Sequence, residues 1–224
     1  MTFSIVGYCK ETGMNGVAIT TSSICVGSRC PWVRAGVGAV TSQNVTDPSI
    51  GEDVLSALEA GLNAGDAITR VMENRPHAKY RQVAVVDNNG RTAHFTGSEI
   101  LGVNKVSQGE YCIAAGNLLS VPDVTGAMVD DFQSTYNQHL AERLLSALEE
   151  GIKAGGEVGP THSAALLVSH TCSWPLVDLR VDWSDCPVAQ LRQCWQKYLP
   201  QMNDYLTRAL DPQNAPTYGV PGDL

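Results

Sequence analysis

The strands of this chain come in hairpins and paired helices separate them, an order that constrains the fold more than any other feature. The clearest hairpin runs over 81–87 and 91–96, around Asn88-Asn89-Gly90, a turn that needs a residue tolerant of positive φ. A second joins 3–9 to 17–21 through Glu11-Thr12-Gly13-Met14-Asn15-Gly16. Residues 22–34 read as irregular. The run 35–41, Ala-Gly-Val-Gly-Ala-Val-Thr, is small and apolar, which predicts a strand buried on both faces. Further strands are predicted over 110–115, 163–169 and 176–183.

Between these groups lie helical patterns. Asp47 and Pro48 signal a start, Glu52 and Asp53 favour the positive end of the helix dipole, and Ile50, Val54, Leu58 and Leu62 recur every four residues. A short helix follows from Gly65 to Met72. A second pair is predicted from the stripes Val121, Val124, Met128, Phe132 and Leu140, Leu144, Leu148, Ile152, stopping at Gly155-Gly156. A last helix starts at Asp185 and Pro187, carries Val188, Leu191, Trp195 and Leu199, and breaks at Pro200. Helix pairs set between antiparallel strand groups predict two sheets stacked face to face with helices outside. No G-x-G-x-x-G follows a strand, which argues against a doubly wound parallel sheet. The expected class is therefore α+β: a four-layer α-β-β-α sandwich of two mainly antiparallel sheets. With no linker or low-complexity segment, one domain is expected over 1–210, with an extended tail over 211–224.

Charge and cysteine usage bound the partners. A net charge of −8 over 224 residues argues against nucleic acid and anionic membrane. No apolar run approaches a membrane span, and the N-terminus lacks the basic and apolar regions of a secretory signal, so a cytoplasmic protein is expected. The seven cysteines are scattered without a C-x-x-C, and the five histidines show no H-x-x-x-H spacing. No metal and no organic cofactor are expected. The expected partner is a small-molecule substrate. The polar strand face of Asp178, Arg180 and Asp182, together with four tryptophans, also makes a homo-oligomer an expectation.

Residue 2 carries the candidate chemistry. Once Met1 is removed, Thr2 holds a hydroxyl and a free α-amine. An α-amine has a pKa of roughly 7.7–8.0, so at neutral pH part of it is unprotonated and can take the proton of its own hydroxyl. A strand begins at this residue.

Several segments in register extend this reading. They are Thr2-Phe3-Ser4-Ile5-Val6, Pro31-Trp32-Val33-Arg34-Ala35-Gly36-Val37-Gly38-Ala39-Val40, Arg81-Gln82-Val83 leading to Val86-Asp87, Gly116-Asn117, Ser163-Ala164-Ala165-Leu166-Leu167-Val168 and Val177-Asp178-Leu179-Arg180-Val181-Asp182. Together, from residue 2 to about 195, the chain resembles the family of domain of unknown function 1028, grouped with the N-terminal nucleophile (Ntn) hydrolases. The resemblance implies the α-β-β-α fold and hydrolysis of an amide C–N bond by Thr2. Its layout implies that the end of the second strand, with Ser22, faces Thr2. The same holds for a loop of Ser42, Gln43 and Asn44, whose backbone N–H groups with Gln43 help form an oxyanion hole. Asn117, in a turn, supplies a further donor.

The resemblance weakens at 97–104; if that segment lines the pocket, substrate choice differs from relatives. Arg34 and Arg29 are candidates for a substrate carboxylate, and His94, on a face with Thr92 and Thr96, for an acid or base. The candidate set is thus Thr2, Asn117, Gln43 and Ser22 for catalysis, and Arg34, Ser42 and His94 for substrate. The alternative is an inactive ligand-binding or assembly protein on the same fold.

Overall fold

The structure is a computed structural model and describes residues 1–217. Six strands, β1 (Thr2–Tyr8), β2 (Asn15–Thr21), β7 (Lys105–Gly109), β8 (Cys112–Asn117), β9 (Ser163–Ser169) and β10 (Val177–Val181), form one sheet in the order β10-β9-β2-β1-β8-β7. Four more, β3 (Pro31–Arg34), β4 (Gly38–Asn44), β5 (Arg81–Asp87) and β6 (Thr92–Thr96), form the second in sequence order. Every pairing is antiparallel. Helices α1 (Ser49–Glu59) and α2 (Ala64–Met72) cover the smaller sheet. Helices α3 (Val124–Ser134), α4 (Leu140–Lys153) and α5 (Pro187–Tyr198) cover the larger, and α6 (Met202–Leu210) follows a turn at Pro200. This is the expected four-layer sandwich.

Strand alternation divides the interior into three apolar layers. Phe3 and Ile5 of β1 pack on Met128, Phe132, Leu144 and Leu148 of α3 and α4. Val6, on the opposite face, joins Val17, Ile19, Ala39, Ala84, Val86 and Ile113 between the sheets. Val40, Val83 and Val85 meet Ile50, Val54 and Leu58 of α1 under the smaller sheet. The packing is close enough to dictate glycine at Gly7, where a Cβ would lie 2.7 Å from the Phe132 ring.

Several local expectations hold in detail. Gly90 turns the β5–β6 hairpin at φ 75°. The Asp47 carboxylate accepts from the Ser49 N–H at 3.1 Å where α1 begins. Gly155 and Gly156 end α4 with φ of 125° and 60°.

Others need correction. The strand expected over 35–41 begins three residues later, because Gly36 turns the chain at φ 69° and gives 35–37 to the β3–β4 turn. Residues 42–44, expected in a loop, therefore complete β4. β3 falls within the stretch read as irregular, and β7 was not anticipated; both are short edge strands. Val121, Ile152 and Leu199, expected inward, are exposed. In the expected tail, Pro212–Asn214 forms a 3-10 turn, and 218–224 lies outside the described residues.

Candidate functional site

One end of the space between the sheets is polar. Thr2 starts β1 and lies opposite Thr21 of β2 and Asn117 of β8, while Thr21 lies opposite Ser163 of β9. All four sit on the strand face that further along carries Val6, Ile19, Ile113 and Ala165 between the sheets. A row of short polar side chains thus closes the apolar layer. The Thr2 and Thr21 hydroxyls are 3.0 Å apart. Both donate to the Met1 carbonyl oxygen, Thr2 at 2.5 Å. Met1 extends outward, and a Cβ on Gly159 would lie 3.3 Å from its terminal methyl.

Behind Thr2, buried amides bridge the two sheets. Ser4 Oγ donates to Gln43 Oε1 at 2.7 Å, and Gln43 Nε2 donates to Gln82 Oε1 at 2.8 Å. Asn117 Nδ2 donates to the same oxygen at 3.1 Å, and Gln82 Nε2 donates to the Gly116 carbonyl at 3.1 Å. The orientations follow from one group. A backbone carbonyl only accepts, so Gln82 must turn its nitrogen toward Gly116 and its oxygen toward Gln43 and Asn117. Asn117 is then left with its carbonyl oxygen buried and without a partner.

That polarity corrects the expectation for Asn117. It is the last residue of β8 rather than a turn residue, and the group it leaves without a partner is an acceptor, the wrong sign for an oxyanion donor. Gln43 is likewise a bridging strand residue rather than part of an oxyanion loop. Ser42 points the other way: its hydroxyl donates to the Asp47 carbonyl at 3.0 Å and its N–H to the Cys30 carbonyl at 3.0 Å. Ser22 lies just beyond β2, beside the site.

Arg34 is not brought to Thr2. It ends β3 opposite Gly38, at the far end of the smaller sheet, where Glu52 and Glu59 of α1 each hold it at 2.7 Å. His94 lies on the outer strand β6 with its neutral form favoured by partial burial, and it bonds to none of the residues around Thr2. Arg29 is closer: it donates to Ser23 Oγ at 2.6 Å and to the Ile24 and Cys25 carbonyls, bracing the loop after β2. Asp178 and Arg180 pair with each other at 2.7 Å, as a structural reading of that face requires.

Two site residues were not singled out from the sequence. Gln82 is one. Glu157 is the other. It follows the α4 terminator and pairs through its backbone with Leu119, two residues past Asn117. Glu157 is 6% exposed, and neither of its oxygens has a hydrogen-bond partner. The Ser22 N–H and the Met1 ammonium lie beside it without closing a bond. Burial pushes its carboxyl up to about 8, against the opposing pull of that ammonium. The segment 97–104 borders the same end: Leu101 accepts from Leu118 N–H, and Leu101 N–H donates to Asn44 Oδ1 at 3.3 Å.

A cavity of about 310 Å³ opens at the opposite end of β1, lined by Lys10, Glu11, Glu110, Tyr111 and Arg143 among others. Its two basic and two acidic side chains balance in charge, and it lies away from Thr2. Among the described residues, no helix is long and apolar enough to cross a membrane. No three His, Cys, Asp or Glu side chains gather there as a metal ion requires.

Comparison with known proteins gives the site its context. A family model described as a family of unknown function, DUF1028, matches residues 2–191. The chain belongs to this family. A crystal structure of a DUF1028 protein from Silicibacter pomeroyi is 36% identical, covers 88% of each chain and superimposes with a TM-score of 0.82. The DUF1028 match begins at Thr2 and ends in α5. Anbu (ancestral beta-subunit) from Yersinia bercovieri aligns over 91% of this chain at 9% identity with a TM-score of 0.37. An Anbu mutant from Hyphomicrobium sp. strain MC1 aligns over 90% at 11% identity with a TM-score of 0.39. Likeness at that level does not bear on activity. No functionally curated protein matches the chain.

Proposed function

We propose that this DUF1028 protein is an N-terminal nucleophile hydrolase that cleaves an amide C–N bond of a small substrate, with Thr2 as nucleophile after removal of Met1. The observation that carries the reading is the Thr2 hydroxyl. It sits at the polar end of the inter-sheet space, 3.0 Å from a second hydroxyl, and both touch a carbonyl oxygen. With Met1 gone, the carbonyl position is free for substrate and the α-amine is free to act as base.

The chemistry then follows from these groups. Thr2 Oγ attacks the substrate carbonyl carbon, and its proton passes to the Thr2 α-amine. Thr21 Oγ–H donates to the oxygen as it gains charge. The C–N bond breaks, the leaving amine takes the proton from the Thr2 ammonium, and an acyl ester remains on Thr2. Water, deprotonated by the same amine, hydrolyses the ester and restores the hydroxyl. The Ser4–Gln43–Gln82–Asn117 bridge holds β1 against the smaller sheet. No cofactor takes part in these steps.

A second reading rests on the contact with Met1. If Met1 is retained, residue 2 has an amide in place of an amine and cannot supply the base; the site then binds a small ligand without turnover. The intact mass of the native protein separates the two. A chain beginning at Thr2 and acylated there by a β-lactone supports the hydrolase. A chain that keeps Met1, or an exposed Thr2 that stays inert, supports the binding protein.

A further inference from the structure

Met1 is the one group seen seated in this site. Its carbonyl oxygen lies between the Thr2 and Thr21 hydroxyls. Its thioether side chain reaches Gly159, where a Cβ would stand 3.3 Å from the methyl and 3.5 Å from the sulfur. Its ammonium is the charge that acts on Glu157. Glu157 is more than nine-tenths buried, and among the described residues its oxygens lack a hydrogen-bond partner and no arginine or lysine pairs with it. Burial there disfavours the ionised carboxylate, and a cation in direct contact favours it.

We propose that the space occupied by Met1 is an α-aminoacyl subsite, so that the substrate is an amide of an α-amino acid with a free ammonium group and a slender apolar side chain. Glu157 receives the ammonium, the Thr21 hydroxyl receives the carbonyl oxygen with Thr2 Oγ beside the carbonyl carbon, and the side chain lies along Gly159. The proposal rests on the reading of Thr2 as nucleophile and specifies what that nucleophile acylates. The reaction is the hydrolysis written above. One water is consumed, the C–N bond of the aminoacyl amide breaks, and a free amino acid and an amine leave. The ammonium recognised by Glu157 stays on the acyl part throughout. Glu157 is here a binding residue, which accounts for a buried carboxyl that no arginine or lysine pairs with among the described residues.

The test uses Met1-free protein and two signals that fail separately. A β-lactone acylates Thr2, read by intact mass and peptide mapping, and two competitors are compared at equal concentration: L-methioninamide and N-acetyl-L-methioninamide. The free-amine compound is expected to slow Thr2 acylation with at least about tenfold greater potency, the discrimination one charge-assisted hydrogen bond provides. In Glu157→Gln the two competitors should become equal within a factor of about two, since the amide no longer carries a charge to meet the ammonium. In Gly159→Val, protection by L-methioninamide should be lost while protection by glycinamide remains. Acylation at Thr2 that both competitors slow equally, or that neither slows, overturns the aminoacyl subsite and leaves the nucleophile standing. So does discrimination that persists in Glu157→Gln. Absence of any adduct at Thr2 overturns the nucleophile, and the subsite falls with it.

Discussion

Two carboxylates are buried at opposite ends of this sandwich, and they are treated in opposite ways. Asp87, 2% exposed, ends β5 and is fully engaged. It accepts from the backbone N–H groups of Ala64, Asn89 and Arg91 at 3.2, 2.9 and 3.1 Å, and from the Arg91 guanidinium at 2.7 Å. It ties the start of α2 to the β5–β6 turn. Glu157, nearly as deep, has no partner. Nearby, Asn117 leaves its oxygen without a donor, because the Gly116 carbonyl fixes the polarity of the bridge. The satisfied end is architecture. At the other end Glu157 and the Asn117 oxygen are buried without partners, an uncommon state in native proteins that fits the binding role proposed for that end.

Substitutions at the two ends should separate them. The largest effect is expected from Thr2→Ala, which removes the nucleophile: amide hydrolysis should fall at least ~10³-fold and the acyl adduct should vanish from the mass spectrum, with the unfolding midpoint little changed. Asp87→Ala should do the reverse. It strands several N–H donors and should cost about 3 kcal/mol in urea unfolding, while the folded fraction still acylates at Thr2.

Glu157→Gln should have the opposite sign on stability, and its pH dependence gives the sharper test. The folded chain holds the Glu157 proton up to about pH 8, whereas the unfolded chain releases it near 4.5. The stability associated with the protonated form is therefore complete below 4.5 and is lost as pH rises to about 8. Glutamine mimics the protonated form at every pH. The variant should match the native protein at pH 4, gain on it between the two values, and level off above 8 with an advantage of up to roughly 5 kcal/mol, the ceiling set by a rise from 4.5 to about 8. An advantage that is flat with pH would place Glu157 among the satisfied groups. The smallest effect is expected at Arg34→Ala, which removes partly exposed ion pairs to Glu52 and Glu59: under about 1 kcal/mol of stability and no change in Thr2 acylation.

The same contrast explains what was legible in the sequence. Local rules were enough for the architecture, because hairpins and helix stripes are written in neighbouring residues. Asn88-Asn89-Gly90 gave the β5–β6 turn and the leucine stripe gave α4. They failed where glycine has two uses. Gly36 and Gly38 read as a small-residue strand, but Gly36 makes a turn, and the resulting shift moved Gln43 from a buried strand into a supposed loop. β3 and β7 lie at sheet edges with partial burial, so their alternation was weak. Thr2 stood out as a candidate from its hydroxyl and α-amine together with the family resemblance. Its surroundings did not, because a bridge such as Ser4–Gln43–Gln82–Asn117 joins residues from two sheets, and its polarity is set by the Gly116 backbone carbonyl, which no side-chain pattern records. Glu157 had no local signal: after a Gly-Gly helix stop it reads as surface, and it acquires meaning only because the chain brings it beside residue 1.

On our proposal, removal of Met1 converts a blocked site into a reactive one. The most direct test is the rate of β-lactone acylation at Thr2 in two preparations of the same protein, one beginning at Thr2 and one carrying an uncleaved residue before it. The account expects a single adduct on Thr2 in the first and none in the second. Equal reactivity in both, or adducts confined to cysteines, would contradict it.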